Sequence, residues 1–307
     1  MKYLTPRDSI TVGEQTEMLN DFLSKSYQPT SSSDATFLID ELYRQIMCDA
    51  FSNLSGKVLA RRLRMLHTFL CTAERTSASI VAGLNLDDDD KAARAVLQDL
   101  HAVLYTQDGL VFWYHTSFVD FIFTQARSNF RIDKDNFTFS CNEPAHHGFL
   151  SKSCFCIMKA EKFGLRFNMG NIISSFLFDR DNAVELSEQV DQNINAVLRY
   201  SSCYWAHHLP LPQLINTDDI RCCISEFLQI HVLFWIEAMN LLGLRNQCTP
   251  MLQSASQWVL KVRFVRFELY YNLMLLVSVG TIIQNWHMTL VRLPILLPII
   301  RKRGISF

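Results

Sequence analysis

The sequence has almost no excess of either charge. Its 29 Lys and Arg residues are matched by 30 Asp and Glu residues, which gives a formal net charge of −1 at pH 7. Nucleic-acid-binding domains carry a basic surface, because contacts to phosphates supply most of their non-specific affinity. The charge balance gives no sign of such a surface, and no nucleic-acid partner is expected.

The sequence also lacks an organised set of cysteines. Its nine cysteines are an odd number, scattered along the chain without the spacing of a disulfide framework. Residues 5–9 are polar where a secretory signal would have an apolar core. We therefore expect reduced thiols and a cytoplasmic location.

A phosphate-binding loop is missing as well. The Gly56-Lys57 pair is followed by Val58, although the loop needs Ser or Thr there to bind magnesium, and Phe51 stands where its first Gly belongs. Neither the backbone cradle for phosphate nor the magnesium ligand is encoded. No repeat of the kind that builds propellers is found either. The sequence predicts a protein without enzymatic activity and without a catalytic residue.

What the sequence does contain is helical periodicity over most of its 307 residues, of which 49% are hydrophobic. Apolar residues recur three and four positions apart, which is typical of amphipathic helices packed around a core. Leu38, Leu42, Ile46 and Ala50 form one such stripe, and Leu59, Leu63, Leu66 and Leu70 form another. The predicted fold is mainly α, with helices at 11–24, 34–50, 57–71, 77–83, 91–104, from Pro144 onward, 186–209 and 220–242.

One strand-to-helix junction interrupts this pattern. The bulky residues Val111 to Tyr114 follow a turn signal at Asp108-Gly109 and predict the second strand of a hairpin. His115 comes next, and an apolar run then begins a helix. We expect Ser117 to cap that helix and Asp120 to lie in its first turn. His115 would then be held at the junction, where it can contact a ligand.

The order of elements around this junction is helix, helix and two-stranded hairpin, which is typical of a winged helix. Four consecutive aspartates, Asp87 to Asp90, precede the second helix. They lack the Gly and the distal Glu of a calcium loop, so we interpret them as a helix cap.

Several strings of residues are specific when taken together. They are His115–Phe121, Ala102–Tyr105, Leu165–Ile172, Ser174–Leu177, Arg199–Leu209 and Val232–Gly243. Together they resemble the region that follows the nucleotide-binding domain in fungal NACHT proteins. These are STAND-class NTPases, often followed by WD-repeat propellers and including heterokaryon-incompatibility proteins. The resemblance extends from Tyr3 to about Arg263.

The resemblance implies an organisation into three parts. Residues 1–130 would be a helical region with a winged helix, residues 131–262 a helical arm, and residues 263–307 an apolar tail that departs from the family. The implied function is that of a non-enzymatic fragment of a NACHT signalling protein, able to bind or regulate full-length NACHT relatives in self/non-self recognition.

The resemblance also implies a role for His115. In STAND proteins a winged-helix His reaches toward the bound ADP and helps to hold the closed, inactive state. His115 matches that position. Because the chain encodes no nucleotide site of its own, ADP or ATP would be a cofactor only together with a NACHT domain supplied in trans. A structural role at the end of a strand is the alternative interpretation of His115.

Metal and hydrolase chemistry are less favoured by the sequence. Cys203 and His207 lie one helical turn apart and Cys222-Cys223 could add ligands, but buried cysteines are usually small apolar residues, and no metal is expected. A hydrolase built on His115, Ser117 and Asp120 lacks the turn that raises a nucleophile. Glu237 lies in a helix that is apolar all round, and we expect it to be hydrogen-bonded inside the core.

The apolar tail supports an alternative function, a membrane-anchored helical adaptor. Leu269–Ile283 is short for a span of the bilayer, and extension to Val291 includes Gln284, Asn285 and His287. Membrane association of the tail is therefore the less favoured expectation.

Overall fold

A computed structural model describes residues 34–54, 56–87, 89–132, 137–172, 183–209 and 218–261. Over these residues the protein is mainly helical, as predicted, and has two short antiparallel strand pairs, one of which is the predicted hairpin. The described residues form two compact units, one within Met1–Val81 and Asp89–Glu143 and the other within Ala82–Asp88 and Pro144–Phe307. The predicted helix at 11–24 and the apolar tail lie outside the described residues.

The first part of the chain contains six helices and two strand pairs among the described residues. They are α1 Asp34–Phe51, α2 Gly56–Cys71, α3 Ala78–Leu84, α4 Lys91–Asp99, β1 Leu104–Gln107, β2 Leu110–Trp113, α5 Thr116–Phe123, α6 Gln125–Ser128, β3 Arg131–Ile132 and β4 Phe137–Thr138. Helix α2 packs on α4, and α1 packs on α5 and α6.

The structure confirms one of the two predicted apolar stripes and contradicts part of the other. All the leucines of the α2 stripe are buried, which confirms that stripe. The α1 stripe is wrong in part, because Leu42 is 38% exposed while Tyr43, Met47 and Phe51 are buried. The Tyr43 ring packs against Phe118 and Phe121, with centroids 5.3 and 5.5 Å apart. These contacts with α5 turn α1 so that the Tyr43 face meets the core.

The predicted hairpin is confirmed. Strands β1 and β2 pair antiparallel, with Leu104 opposite Trp113 and Gln107 opposite Leu110. The turn residues Asp108 and Gly109 have φ angles of 52° and 77°. A two-residue turn with both φ angles positive follows the twist of a hairpin, and Asp-Gly is among the sequences that adopt it at low cost. Helix α4 ends at Asp99, earlier than predicted, because Leu104 already belongs to β1.

The acidic stretch lies at the start of α4, where a cap was predicted. Asp89 Oδ1 accepts a hydrogen bond of 3.1 Å from the backbone N–H of Lys91. Asp90 pairs with Arg94 one turn further on, at 2.7 Å. The hydrogen bond from Lys91 lowers the pKa of Asp89, and the bond from Arg94 lowers that of Asp90. Within the described part of this stretch, Asp89 and Asp90 therefore stabilise the first turn of α4.

Among the described residues of the second part of the chain, all the regular elements are helices, and residues 159–172 are turns and irregular backbone. Its elements are α7 Glu143–Met158, α8 Ala183–Asn193, α9 Ala196–Tyr204, α10 Asp218–Glu226, a π-helical turn Phe227–His231, α11 Val232–Leu241, a 3-10 turn Arg245–Gln247 and α12 Cys248–Lys261. Pro144 lies in the first turn of α7, as expected of a proline that introduces a helix.

The predicted single helix at 186–209 is wrong, because the chain breaks between α8 and α9. Asn195 has an extended backbone, and its side chain accepts a 2.8 Å hydrogen bond from the N–H of Leu198. Asn is a strong helix N-cap, so a new helix begins at Ala196. The predicted helix at 220–242 is confirmed as the continuous run from α10 to α11, with a π-helical turn in its middle.

Four aromatic side chains lie together in the core of the second unit. Phe155, Trp205, Phe227 and Trp235 contact one another with ring centroids 5.3 to 5.9 Å apart. Trp235 Nε1 donates a 2.9 Å hydrogen bond to the carbonyl of Ser202. The helical run from Asp218 to Leu241 is long and apolar enough to cross a membrane, but half of its apolar window is buried in the unit. Core helices of soluble proteins share this composition.

Candidate functional site

His115 occupies the junction between β2 and α5, at the position predicted from the sequence. Its backbone is extended, with φ −144° and ψ 139°, and its imidazole Nδ1 accepts a 3.1 Å hydrogen bond from the N–H of Ser117. His115 is therefore the N-cap of α5, and the prediction that Ser117 caps this helix is wrong. Asp120 lies beyond the first turn, which contains no acidic residue.

Ser117 instead fixes the histidine side chain. Its Oγ lies 2.7 Å from His115 Nδ1 and 2.7 Å from the hydroxyl of Tyr43. Because Nδ1 accepts the backbone N–H, the neutral imidazole carries its proton on Nε2. The hydrogen bonds therefore run from Tyr43 O–H to Ser117 Oγ, and from Ser117 to His115.

The helices behind this chain of hydrogen bonds hold Tyr43 in place. The Tyr43 ring packs against α5. Asp40 lies one turn before Tyr43 on α1. Both carboxylate oxygens of Asp40 accept from Arg127 Nε of α6, each at 3.0 Å. A bidentate pair of this kind fixes geometry as well as charge. The orientation of His115 is thus set by packing between α1, α5 and α6.

The outer side of His115 faces solvent. The residue is exposed, and Nε2 has no hydrogen-bond partner in the described part of the chain. The neighbouring hairpin presents an aromatic surface in which Tyr105 stacks on Phe112 and contacts the exposed Tyr114. The guanidinium of Arg75 lies 3.2 Å from the centroid of the Trp113 ring. Burial lowers the pKa of Arg75, although the group stays cationic. The site can donate a hydrogen bond and offers one cation.

Two histidine doublets of the sequence, His146-His147 and His207-His208, come together in the second unit. His147 Nδ1 lies 2.9 Å from His208 Nδ1, and His208 Nε2 lies 2.8 Å from the Tyr200 hydroxyl. Burial, followed by the charges of His147 and His207, lowers the pKa of His208 to about 2. This histidine stays neutral inside the core. Among the described residues, Cys203 and His207 do not join Cys222 or Cys223 in a metal-binding group.

A cluster in the first unit was missed by the sequence analysis. His67 and Cys71 lie one turn apart on α2, and the ligand atoms of His67 and Cys141 lie within 4.8 Å of each other. His67 Nε2 donates a 3.0 Å hydrogen bond to the carbonyl of Phe139. Both cysteines are only 4% exposed. The spacing of His67 and Cys71 was a weak signal, but Cys141 is 70 residues further on in the sequence.

The two thiols of this cluster interact directly. Contact with the Cys71 thiol, and to a lesser degree contact with His67, lowers the pKa of Cys141 to about 6 in spite of burial. The same contact with Cys141, together with burial, raises the pKa of Cys71. The pair therefore favours one thiolate and one thiol.

Glu237 lies inside the second unit, hydrogen-bonded as predicted. Its Oε2 accepts a 3.2 Å hydrogen bond from the N–H of Asn168, while Oε1 is buried and has no hydrogen-bond partner among the residues that the structure describes. Burial raises the pKa of Glu237 to about 7, and hydrogen bonds from Asn168 and Met169 oppose that rise. The carboxyl group is a buried, titratable part of the core.

Comparison with known proteins finds no match to this chain among family models, curated sequences or solved structures. The described fold defines a mainly helical class with a small antiparallel hairpin.

Proposed function

We propose that the chain is a non-enzymatic module of a fungal NACHT signalling protein, in which a winged helix and a helical arm act on a NACHT-containing partner. The proposal is supported above all by His115. This residue stands at a rigid strand-to-helix junction, and its Nε2–H points away from the groups that hold it. An imidazole in this state can donate to a phosphate oxygen.

The supporting elements favour the same interpretation. Helices α3 and α4 and the hairpin β1–β2 follow one another in the order of a winged helix, with β1–β2 as the wing. His115 comes directly after the wing, which is the position of the nucleotide-sensing histidine in the family that the sequence resembles. The partner would supply the phosphate-binding loop that this chain lacks.

A histidine is a suitable latch between two domains. In the closed state it would donate to ADP bound in the partner, and it would lose that acceptor when the domains separate. A hydrogen bond to a charged group contributes about 1.5 to 3 kcal/mol. The contact would therefore change the affinity between the two proteins by about 10- to 100-fold. By thermodynamic linkage, the factor by which ADP changes the affinity of this chain for the NACHT domain equals the factor by which this chain changes the affinity of the NACHT domain for ADP.

The experiment that tests this proposal measures complex formation with a separately produced fungal NACHT domain. Sedimentation of the mixture is compared in the presence of ADP, of a non-hydrolysable ATP analogue, and of no nucleotide. We expect the complex to form most tightly with ADP, and His115→Ala to remove the advantage of ADP. The matched control is His101→Ala, an exposed histidine of the same unit whose Nδ1 hydrogen-bonds the Gln98 carbonyl at 2.9 Å.

Two results would contradict the proposal. One is the absence of a complex under any nucleotide condition. The other is a complex whose dependence on ADP is the same in the His115→Ala and His101→Ala variants, since the histidine would then not read the nucleotide.

A further inference from the structure

Three polar side chains inside the second unit connect the start of α7 to the end of α9. His147 Nδ1 lies 2.9 Å from His208 Nδ1, and His208 Nε2 lies 2.8 Å from the Tyr200 hydroxyl. His208 is fully buried and Tyr200 is 2% exposed. The backbone N–H of His208 donates to the carbonyl of Tyr204 at 3.2 Å, so His208 continues the last turn of α9. The contact between the two histidines therefore ties together two helices that are far apart in the sequence.

The two imidazoles satisfy this geometry when each ring carries one proton. A 2.9 Å contact between two ring nitrogens is a hydrogen bond only if one nitrogen has a proton and the other a lone pair. If His147 Nδ1–H donates, His208 accepts it and donates from Nε2 to the Tyr200 oxygen. If His208 Nδ1–H donates instead, its Nε2 accepts the Tyr200 O–H. Both ring nitrogens of His208 have a partner in either arrangement.

This geometry accepts one further proton but not two. A proton added to His147 still leaves its Nδ1–H donating to the lone pair of His208. A proton added to His208 as well would place two N–H groups 2.9 Å apart with no acceptor between them, and two positive charges side by side. The second charge would also lie on a fully buried ring, where an unpaired charge is costly.

The groups around His208 add no negative charge among the described residues. The titratable neighbours are His146 and His147 on α7, Tyr200 and Tyr204 on α9, and His207 beside it in the chain. The three neighbouring histidines gain positive charge in acid, and each then opposes a charge on His208. Burial, followed by these charges, lowers the pKa of His208 to about 2.

We propose that His147, His208 and Tyr200 form an acid-sensitive latch, which ties α7 to α9 at neutral pH and opens in mild acid when His208 takes up a proton. The closed latch excludes this proton, whereas His208 in an opened chain binds it with the ordinary histidine pKa of 6.5. The stabilisation is therefore fully present above about pH 6.5 and is lost progressively as the pH falls below that value, by about tenfold in the folding equilibrium constant per pH unit. The inference is independent of the role proposed for His115, which belongs to the first unit.

The first test compares urea denaturation of the unaltered chain and of His208→Gln between pH 7.5 and pH 5. The Gln amide can donate and accept hydrogen bonds but does not titrate. We expect the folding equilibrium constant of the unaltered chain to fall by about 30-fold relative to that of the variant. The opposite pH dependence that Glu237 contributes is present in both proteins and cancels in the comparison. The control is His101→Gln, at an exposed position of the first unit, which should follow the unaltered chain.

A second variant separates the latch from a merely structural role of the same side chains. Tyr200→Phe removes the hydroxyl that His208 Nε2 contacts but keeps His208 buried beside His147. It should lower stability at every pH while keeping the pH dependence of the unaltered chain. The same pH dependence in His208→Gln and in the unaltered chain would overturn the proposal.

Nuclear magnetic resonance of the unaltered chain tests the excluded proton directly and does not depend on how the variants fold. The ring ¹⁵N shifts of the histidines are followed from pH 7.5 to pH 5. As long as the chain is folded, we expect the His208 ring to keep the shifts of a neutral imidazole while the exposed His101 becomes protonated. A His208 ring that takes up a proton near pH 6.5 with the fold intact would overturn the proposal.

Discussion

Ser117 is the residue through which α1 orients His115. Its hydroxyl connects the Tyr43 hydroxyl and His115 Nδ1, at 2.7 Å from each. Ser117→Ala removes both contacts and should lower the free energy of unfolding by about 1 kcal/mol, measured by urea denaturation. Thr116→Ala changes an exposed hydroxyl at the next position and should stay within about 0.5 kcal/mol of the unaltered chain. Equal changes of the unfolding free energy in the two variants would show that the hydrogen bonds of Ser117 with Tyr43 and His115 do not stabilise the fold.

Glu237 makes stability depend on pH in a predictable direction. Its pKa rises from 4.5 to about 7 on folding, chiefly through burial. Over this interval the folded protein holds a proton that the unfolded chain has lost. The contribution of Glu237 is therefore fully present below about pH 4.5 and is lost as the pH rises through about 7.

Glu237→Gln should remove this dependence, because a neutral amide can still accept the hydrogen bond from the N–H of Asn168. Between about pH 5 and pH 8 we expect the unaltered chain to lose about 2 to 3 kcal/mol of unfolding free energy relative to the variant. Urea denaturation at a series of pH values measures the difference. The control is Glu188→Gln, at an exposed position of α8. Its unfolding free energy should depend on pH in the same way as that of the unaltered chain. A parallel pH profile for Glu237→Gln would contradict the account.

At the scale of single elements, the break between α8 and α9 depends on one cap. Asn195 accepts the N–H of Leu198 at 2.8 Å and starts α9. Asn195→Ala should lower the unfolding free energy by about 1 kcal/mol. Gln192→Ala, at an exposed position near the end of α8, is the control and should change it by less than about 0.5 kcal/mol. An unchanged unfolding curve for Asn195→Ala would mean that packing alone ends one helix and begins the next.

The attachment of α6 to α1 rests on the pair between Asp40 and Arg127. Their side chains are only 21% and 25% exposed, and the contact is bidentate. A double-mutant cycle with Asp40→Asn and Arg127→Gln should give a coupling energy of at least about 1 kcal/mol in denaturation experiments. The exposed pair of Glu41 and Arg44, at 3.5 Å, should give about 0.5 kcal/mol or less. Coupling energies of the same size would refute the special role of the Asp40 pair.

The elements that could be predicted from the sequence are those whose signals are local. The leucines of α2 repeat with the helical period, and Asp108-Gly109 is itself the turn that a hairpin needs. The end of α4 and the break at Asn195 were missed, since apolar residues continue through both positions and the periodicity does not show which polar group caps a helix. Boundaries of this kind are decided by single hydrogen bonds.

The parts of the site that could not be predicted depend on contacts between distant residues. His115 was identified from its position after a strand, and its N-cap bond to Ser117 is local, but the contact that holds Ser117 comes from Tyr43, which is 74 residues away from Ser117. In the same way, Cys141 meets His67 and Cys71 only after the chain has folded. No pattern along the sequence encodes which side chains meet across 70 residues.

At the scale of the whole molecule, the proposed function makes this chain one half of a nucleotide-binding assembly. It has a donor at His115 but lacks the phosphate-binding loop, so the chain alone should bind neither ADP nor ATP. Its contribution should appear only when the other half is present. The affinity for nucleotide is therefore the property that distinguishes a sensor from a structural histidine.

The most direct measurement is titration calorimetry of ADP into three samples: this chain, a fungal NACHT domain, and their mixture. The account predicts no binding to the chain alone, and binding to the mixture that is about 10- to 100-fold tighter than to the NACHT domain. His115→Ala should abolish the gain and His101→Ala should keep it. Binding of ADP to the chain alone, or a mixture that binds ADP no more tightly than the NACHT domain does, would contradict the account.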